Sequence, residues 1–219
     1  MKIGILGTGI VGTTIGNRLT QLGHDVMMGS RDANNDKAAA WSTAAGEHAS
    51  HGTFADAATF GEIVINCTSG MNSLSALELA GSKNLASKIV VDIANPLDFS
   101  QGFPPTLSVA NTDSLGEQIQ SRYPDSKIVK TLNTMTASVM VDPSRVPGDH
   151  TVFVSGNDAD AKQRVVELLG EFGWKASNVI DLGDITTARG TEMLLPVWVR
   201  LYGALGNPNF NFNVVRADA

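Results

Sequence analysis

Short apolar runs alternate with longer segments of helical period along most of the chain. Mostly apolar runs of about five residues occur at 2–6, 25–29, 62–67, 88–93 and 127–132. Residues 52–54 predict only a short extended piece, and residues 94–111, which include three prolines, predict a long loop. Buried strands alternating with amphipathic helices are typical of a parallel sheet covered on both faces. We therefore predict an α/β protein with a Rossmann-type, doubly wound parallel sheet.

After about residue 149 the pattern of apolar and polar residues predicts a smaller unit. It predicts a strand over 151–155, a helix over 159–172, a strand over 179–182 and a last helix over 186–204. Pro196 lies inside that last helix and is expected to kink or split it. We therefore expect a main domain over 1–149 and a small C-terminal α/β appendage over 150–219.

A glycine-rich turn follows the first predicted strand directly and opens a predicted helix. Its sequence, Gly7-Thr8-Gly9-Ile10-Val11-Gly12, has the G-x-G-x-x-G spacing of a dinucleotide-binding turn. In such turns the first glycine permits the tight bend, the second lets a pyrophosphate approach the backbone, and the third lets the helix pack close to the sheet. The helix N-terminus offers free N–H groups and the positive end of its dipole to the phosphates. The motif therefore predicts a dinucleotide cofactor.

The end of the second predicted strand indicates which dinucleotide binds. NAD-binding folds usually place an acidic residue there for the ribose 2′-hydroxyl, whereas NADP-binding folds place an arginine nearby. Here the strand ends in Ser30-Arg31, and both side chains can bond a 2′-phosphate. Lys37 could add a third contact. Asp32 is the opposing signal, but its place beyond the strand end is typical of a residue that caps or starts the next helix, so we predict NADP(H).

Further turns are expected at the same edge of the sheet, because ligands bind at the carboxyl ends of parallel strands. With the short extended piece counted as the third strand, Thr68 and Ser69 follow the fourth predicted strand, Asn95 and Pro96 follow the fifth, and Ala137 ends the segment after the sixth. We predict that these small or polar residues approach the ribose and the nicotinamide. Ordinary strand-to-helix turns, capped by Thr, Ser and Asn, are an equally good interpretation.

Composition and charge exclude several other classes of protein. A net charge of −6 gives no basic footprint for nucleic acid or for an anionic membrane surface. The single cysteine, Cys67, excludes an internal disulfide and a cysteine-based zinc cluster, and is expected to be a buried strand thiol. The longest apolar stretch, 194–205, is too short to span a bilayer and contains Arg200. With no signal-peptide pattern, we expect a cytoplasmic protein that does not bind membranes.

No pattern in the chain predicts an acid–base catalyst or a metal site. The sequence contains neither G-x-S-x-G nor His-x-x-x-His, and its four histidines fall in predicted turns or surface segments. Hydride transfer needs no acid or base when the acceptor is a ring that stabilises the charge. Holding two rings about 3–3.5 Å apart is then most of the catalysis. We therefore name no catalytic residue and expect a small-molecule redox substrate.

Five segments spread over essentially the whole chain form a recognisable set: MKIGILGTG at 1–9, GSR at 29–31, NP at 95–96, KTLNTM at 130–135 and EMLLP at 192–196. Together they resemble the NADPH-dependent coenzyme F420 reductases (F420H2:NADP+ oxidoreductases) and their bacterial relatives. The resemblance implies hydride transfer between NADPH and a deazaflavin, with both rings stacked between the Rossmann domain and the C-terminal part. It also implies NADP contacts at Thr8, Gly9, Ile10, Val11, Ser30, Arg31, Lys37 and Ala137.

The resemblance leaves the electron acceptor open. Segments 68–75 and 133–135 differ from the proline-containing sequences of the archaeal deazaflavin reductases, so a flavin or another small acceptor is an alternative. An NADP-dependent reductase of small carbonyl or imine substrates is a second alternative, although those enzymes carry a large all-helical domain with a catalytic lysine. A non-catalytic NADP(H)-binding redox sensor is a third, because it needs no acid–base residue.

The last predicted helix is apolar nearly all round. Such a helix is expected to be buried on several sides, and in a chain of 219 residues a homodimer interface is a natural place for it. We therefore predict a homodimer.

Overall fold

A computed structural model describes residues 1–217 of the chain. Its strands are β1 (Lys2–Leu6), β2 (Asp25–Ser30), β3 (Ala49–Thr53), β4 (Ile63–Asn66), β5 (Ile89–Asp92), β6 (Leu97–Asp98), β7 (Thr106–Leu107), β8 (Lys127–Thr131), β9 (Val152–Gly156) and β10 (Val179–Asp181). Its helices are α1 (Ile10–Gln21), α2 (Asp36–Ala45), α3 (Phe54–Phe60), α4 (Gly70–Ala80), α5 (Ser82–Leu85), α6 (Leu115–Arg122), α7 (Ala137–Met140), α8 (Ala159–Phe172), α9 (Ala188–Met193) and α10 (Leu195–Leu205).

One eight-stranded sheet organises the chain, in the order β10-β9-β8-β5-β4-β1-β2-β3. From β3 to β8 every neighbouring pair is parallel. This six-strand order is that of a Rossmann fold, so the predicted α/β class is confirmed. The strand order reverses between β1 and β4, and open sheets of this kind bind ligands at that reversal.

The C-terminal part continues the same sheet. Strand β9 pairs antiparallel with β8, and β10 pairs parallel with β9 after the crossover helix α8. The smaller βαβ unit is therefore present as predicted. One buried apolar cluster contains Ile15 and Val129 from the first part and Val152 and Leu168 from the second. A domain boundary near residue 149 stays a prediction.

Two elements differ from their predicted extent, and the predicted split of the last helix is confirmed. The short piece predicted at 52–54 is the whole strand β3, because residues 49–53 pair with β2 along their full length. The loop predicted at 94–111 contains an antiparallel hairpin of β6 and β7. The last helix is split into α9 and α10, and Pro196 lies in the first turn of α10, where a proline needs no N–H partner.

Helix α10 is less buried than its composition predicts. Leu195 and Val199 are buried, whereas Val197, Tyr202 and Leu205 are exposed. The prediction of burial on several sides is therefore wrong for the single chain. Among residues 1–217, no helix combines the length and the apolar character that crossing a membrane requires.

Helix α1 packs closely on the sheet through a glycine contact. A Cβ atom on Gly12 would lie 2.2 Å from the carbonyl oxygen of Gly7, far inside van der Waals contact. A Cβ atom on Gly9, three residues earlier, would meet no atom within 4 Å. The two glycines therefore have different roles: Gly12 is required by packing within the fold, and Gly9 keeps an open space at the surface.

We expect Gly12→Ala to lower the free energy of unfolding by about 3 kcal/mol, because the new methyl group meets rigid backbone. The matched control, Gly9→Ala, should lower it by at most about 1 kcal/mol, since it exchanges one N-cap residue for a poorer one. Urea denaturation of both variants measures the difference. Equal losses would show that the contact between Gly12 and Gly7 does not limit packing.

Candidate active site

Two clefts lie side by side at the carboxyl edge of the parallel strands. The first cleft, of about 510 Å³, is lined by Gly7, Thr8, Ser30, Arg31, Asp32, Asn35, Phe54, Thr68, Ser69, Asn72, Ser75, Ala76 and Leu79. The second cleft, of about 810 Å³, is lined by Ile10, Val11, Cys67, Thr68, Ser69, Gly70, Met71, Ile93, Ala94, Asn95, Leu97, Phe99, Asn133, Met135, Thr136, Ala137, Met140, Leu195 and Trp198. Thr68 and Ser69 belong to both, so the clefts meet at the turn between β4 and α4.

The turn between β1 and α1 has the backbone that its glycines predict. Gly7 has a φ of +124°, a conformation that L side chains rarely adopt, and its N–H donates to the carbonyl of Gly29 at 3.1 Å. A Cβ atom on Gly7 would lie 2.9 Å from the carbonyl oxygen of Cys67. The turn is therefore held tightly between the ends of β2 and β4.

Helices α1 and α4 begin at the clefts without a side-chain cap. Their N-cap residues, Gly9 and Ser69, accept no capping hydrogen bond through a side chain, and neither first turn contains an acidic residue. By contrast, side chains cap the helices α2, α3, α6 and α8. The first N–H groups of α1 and α4 are thus available to an anion, and the helix dipole favours negative charge there.

A cationic side chain without a protein partner lies in the first cleft. Arg31 is exposed and makes no hydrogen bond or ion pair through its side chain with residues 1–217. The hydroxyl of Ser30 donates to the carbonyl of Asp32 and accepts from the N–H of the same residue at 3.2 Å. Ser30 would therefore have to rotate to donate to a phosphate, whereas Arg31 is free to pair with one.

Asp32 does not have the role expected from its position. Its carboxylate accepts from the N–H of Asn34 at 2.9 Å, and the residue that caps α2 is Asn35, whose side chain accepts from Ala38 at 3.0 Å. The predicted helix cap at Asp32 is therefore wrong. Asp32 stays in the wall of the first cleft beside Arg31.

Most of the predicted site residues lie at these clefts. Those in the wall of at least one cleft are Gly7, Thr8, Ile10, Val11, Ser30, Arg31, Thr68, Ser69, Asn95 and Ala137. Gly9 is the N-cap of α1, and Gly12 is buried behind it. Lys37 is exposed on α2 and lines neither cleft. Pro96 is buried outside both clefts, and its carbonyl accepts from the N–H of Ser108 at 2.8 Å, which holds the β6–β7 hairpin.

The second cleft is mainly apolar. None of its lining residues among those described is acidic, basic or a histidine. Its polar floor includes a reciprocal amide pair: Asn95 Nδ2 donates to the carbonyl of Asn133 at 2.8 Å, and Asn133 Nδ2 donates to Asn95 Oδ1 at 2.9 Å. Burial, with a smaller contribution from the charge of Asp92, raises the pKa of the Cys67 thiol. The cleft therefore offers surface for a flat ring and no proton donor of ordinary acidity.

The outer wall of the second cleft comes from the β6–β7 hairpin, which the sequence did not assign to a site, and from α10, which belongs to the C-terminal part that the resemblance places beside the rings. The β6–β7 hairpin contributes Phe99, and α10 contributes Leu195 and Trp198. The ring of Trp198 stacks on Tyr202 and Phe210, with ring centroids 5.8 Å and 5.3 Å apart. The only sequence signal for Trp198 was its place in an apolar helix, and that signal predicted burial rather than a cleft.

Below the second cleft lies a buried ionic cluster that the sequence analysis missed. Lys130, Asp92 and Glu192 are each at most 2% exposed, and Lys130 Nζ lies 2.8 Å from a carboxylate oxygen of each acid. Burial alone would lower the pKa of Lys130, but the two carboxylates outweigh it and raise the pKa. The available signal was a lysine inside the apolar strand β8. Residues 1–217 contain no cluster of three or more His, Cys, Asp or Glu side chains that could hold a metal ion.

Comparison with known proteins identifies the family. Residues 2–96 match the family model for NADP oxidoreductases that depend on coenzyme F420. The F420-dependent NADP reductase of Methanocaldococcus jannaschii is 31% identical over 147 residues, which are 67% of this chain and 64% of that protein. The metalloreductase STEAP3 of Rattus norvegicus is 28% identical over 201 residues, which are 90% of this chain and 38% of that protein.

A solved structure matches over the full length. A crystal structure from Arthrobacter sp. FB24, provisionally named an F420-dependent NADP reductase, is 57% identical. It has a TM-score of 0.93 and covers 99% of this chain, while this chain covers 100% of it. The chain spans less than two thirds of the two curated relatives named above, but all of this one. The protein therefore belongs to the family of coenzyme F420-dependent NADP oxidoreductases.

Proposed function

We propose that this protein transfers a hydride between NADPH and a flat ring acceptor, either a deazaflavin such as coenzyme F420 or a flavin. The observation that carries the proposal is the pairing of two unlike clefts that meet at Thr68 and Ser69. The first contains a free arginine, the second is apolar and carries no charge among the residues described, and the uncapped starts of α1 and α4 lie where the two clefts adjoin. A dinucleotide fits this pair of clefts, with its 2′-phosphate end at the cleft that contains the arginine and its nicotinamide ring at the apolar cleft.

The start of α1, where the two clefts adjoin, and Arg31 in the first cleft together fit the two anionic parts of NADPH. The open space at Gly9 and the free amides of Ile10 and Val11 would receive the pyrophosphate. The guanidinium of Arg31 would pair with the 2′-phosphate as a charge-assisted, bidentate contact. The two sites are separated by Thr8 and the end of β2, as they are in NADP-binding Rossmann folds in general.

The residues of the second cleft would act by positioning the two rings and by excluding water from them. NADPH, when bound, supplies the hydride. The apolar walls formed by Ile10, Met135 and Trp198 would hold an acceptor ring against the nicotinamide and keep bulk water away from both. Since no described lining residue is an ordinary acid or base, we propose no catalytic proton donor. The amide pair of Asn95 and Asn133 would orient the ring edge.

We expect the purified protein to oxidise NADPH when coenzyme F420, riboflavin or FMN is supplied under anaerobic conditions. The rate, followed by NADPH absorbance, should saturate with the concentration of at least one acceptor, because the second cleft binds the ring. A matched control, Met135→Trp, fills this cleft without touching the first, so NADPH should still bind while turnover falls. Tight NADPH binding with no turnover on any acceptor would favour a redox sensor instead.

We expect Arg31→Asp to weaken NADPH binding by at least ~2 kcal/mol, because a charge-assisted contact is replaced by repulsion. NADH lacks the 2′-phosphate, so its dissociation constant should change much less. Gly9→Ala is the control: its methyl group blocks the pyrophosphate and should weaken both nucleotides alike. Calorimetric titration of both variants with both nucleotides measures this, and equal effects of Arg31→Asp on the two would show that Arg31 does not bind the extra phosphate.

We also propose that the protein is a homodimer through α10. In the single chain, this helix leaves the side chains of Val197, Tyr202 and Leu205 exposed. Burying apolar side chains of this size in an interface favours association of two chains.

Light scattering at micromolar concentration should therefore give about twice the chain mass of 23.1 kDa. Leu205→Glu should shift the mass to that of one chain, because a charge in an apolar interface is costly to bury. Leu182→Glu, at another exposed leucine, beside β10 and outside α10, is the control and should leave the dimer intact. A single-chain mass for the unmodified protein would contradict the proposal.

A further inference from the structure

The ammonium group of Lys130 has three close oxygen partners inside the protein. It donates hydrogen bonds to Asp92 Oδ2 at 2.8 Å and to the carbonyl of Ala94 at 2.6 Å, and it forms an ion pair with Glu192 Oε1 at 2.8 Å. The side chain is 1% exposed. The three oxygen atoms match in number the three N–H groups of a lysine ammonium.

The partners of Lys130 belong to different walls of the second cleft. Asp92 ends β5, and Ala94 and Asn95 beyond it line the cleft. Lys130 itself lies near the end of β8, three residues before the lining residue Asn133. Glu192 lies in α9, directly before the outer wall of Leu195 and Trp198. Three segments that are distant in sequence are therefore joined at one nitrogen atom.

The cluster also reaches the turn where the two clefts meet. The second carboxylate oxygen of Asp92 accepts from Asn66 Nδ2 at 2.8 Å, and Asn66 Oδ1 accepts from the hydroxyl of Thr68 at 2.7 Å. On the other side, Glu192 accepts from the backbone N–H groups of Leu115 and Gly116, at 2.8 and 3.1 Å. The Glu192 carboxylate, which is the second negative charge of the cluster, thus lies against the first turn of α6, where the helix dipole favours negative charge.

Stability alone does not explain such an arrangement. Taking three charged groups out of water is expensive, and well-packed apolar residues often stabilise a core as well or better. A fully satisfied polar network, however, fixes one geometry, because its bonds are directional. The backbone next to it needs fixing: Leu132, between Lys130 and Asn133, has a φ of +60°, which is strained for a leucine.

We infer that Lys130 is a positioning residue, which with Asp92 and Glu192 holds three walls of the second cleft at the spacing that a ring acceptor requires. The inference rests on the proposed function for the nature of the occupant. The coupling between the walls, however, rests on the contacts of Lys130 alone, and it can be measured without turnover.

The test replaces Glu192 by Gln, which keeps the size of the side chain and removes its charge. The matched control is Glu117→Gln, which removes an ion pair between the same two helices: Glu117 on α6 accepts from Arg189 Nε on α9 at 2.8 Å. Glu117 makes no contact with Lys130 among the interactions described. Any effect of simply loosening α9 from α6 should therefore appear in both variants.

The first measurement is amide hydrogen exchange of the full chain. In Glu192→Gln we expect segments 93–96, 132–137 and 193–199 to exchange about tenfold faster together, a size typical of mutations in a coupled network. In Glu117→Gln only the α6 and α9 amides should change. Faster exchange of segment 193–199 alone, or the same pattern in both variants, would overturn the coupling.

The second measurement separates ring binding from nucleotide binding. We expect Glu192→Gln to raise the dissociation constant of riboflavin, measured by quenching of its fluorescence, about tenfold. The dissociation constant of NADPH should change by less than about twofold, since Glu192 itself contacts no residue that lines the first cleft. Unchanged riboflavin binding, or an equal loss for both ligands, would overturn the positioning role.

A second variant guards against loss of folding. If Glu192→Gln does not fold, Glu192→Asp keeps the charge but shortens the side chain by one methylene, so it should still displace α9 and weaken riboflavin relative to NADPH. If the unmodified protein binds NADPH but no ring acceptor, the proposed function fails, and the exchange experiment still decides whether Lys130 couples the three segments.

Discussion

The candidate site depends on backbone N–H groups that have no partner within the chain. They lie at the place where the strand order of the sheet reverses. The amides at the starts of α1 and α4 point into adjoining clefts, and neither helix has a side chain that satisfies them. An anion placed there completes hydrogen bonding that the chain leaves unfinished. The left-handed turn at Gly7 and the close packing at Gly12 both serve to bring the start of α1 to this edge.

Charge is separated from the reaction space in a systematic way. Arg31 lies in the wall of the first cleft, while Lys130, Asp92 and Glu192 are buried behind the wall of the second cleft, where the ammonium of Lys130 offsets one of the two negative charges. An apolar cleft of this kind needs rigid walls, because dispersion contacts with a flat ring decay steeply with distance. The ionic cluster supplies that rigidity without exposing a charge to the ring.

Local patterns in the sequence predicted the strands, the order of the Rossmann unit and the phosphate-binding turn, because each depends on residues close together in the chain. The second cleft could not be predicted in the same way. Its outer wall combines Phe99 from a hairpin with Trp198 from α10, and their meeting depends on how the C-terminal helices return over the sheet. Lys130 was hidden for a related reason: its partners lie 38 and 62 residues away in sequence, at Asp92 and Glu192.

The antiparallel junction between β8 and β9 reverses the direction in which the last two strands of the sheet run. Since β9 and β10 run against the other main-sheet strands, the turns that follow them, at 157–158 and 182–184, emerge at the edge opposite the clefts. Substitutions and insertions in these two turns are therefore remote from any bound nucleotide. Related chains can diversify there, in length or in surface charge, while the redox chemistry at the other edge is conserved.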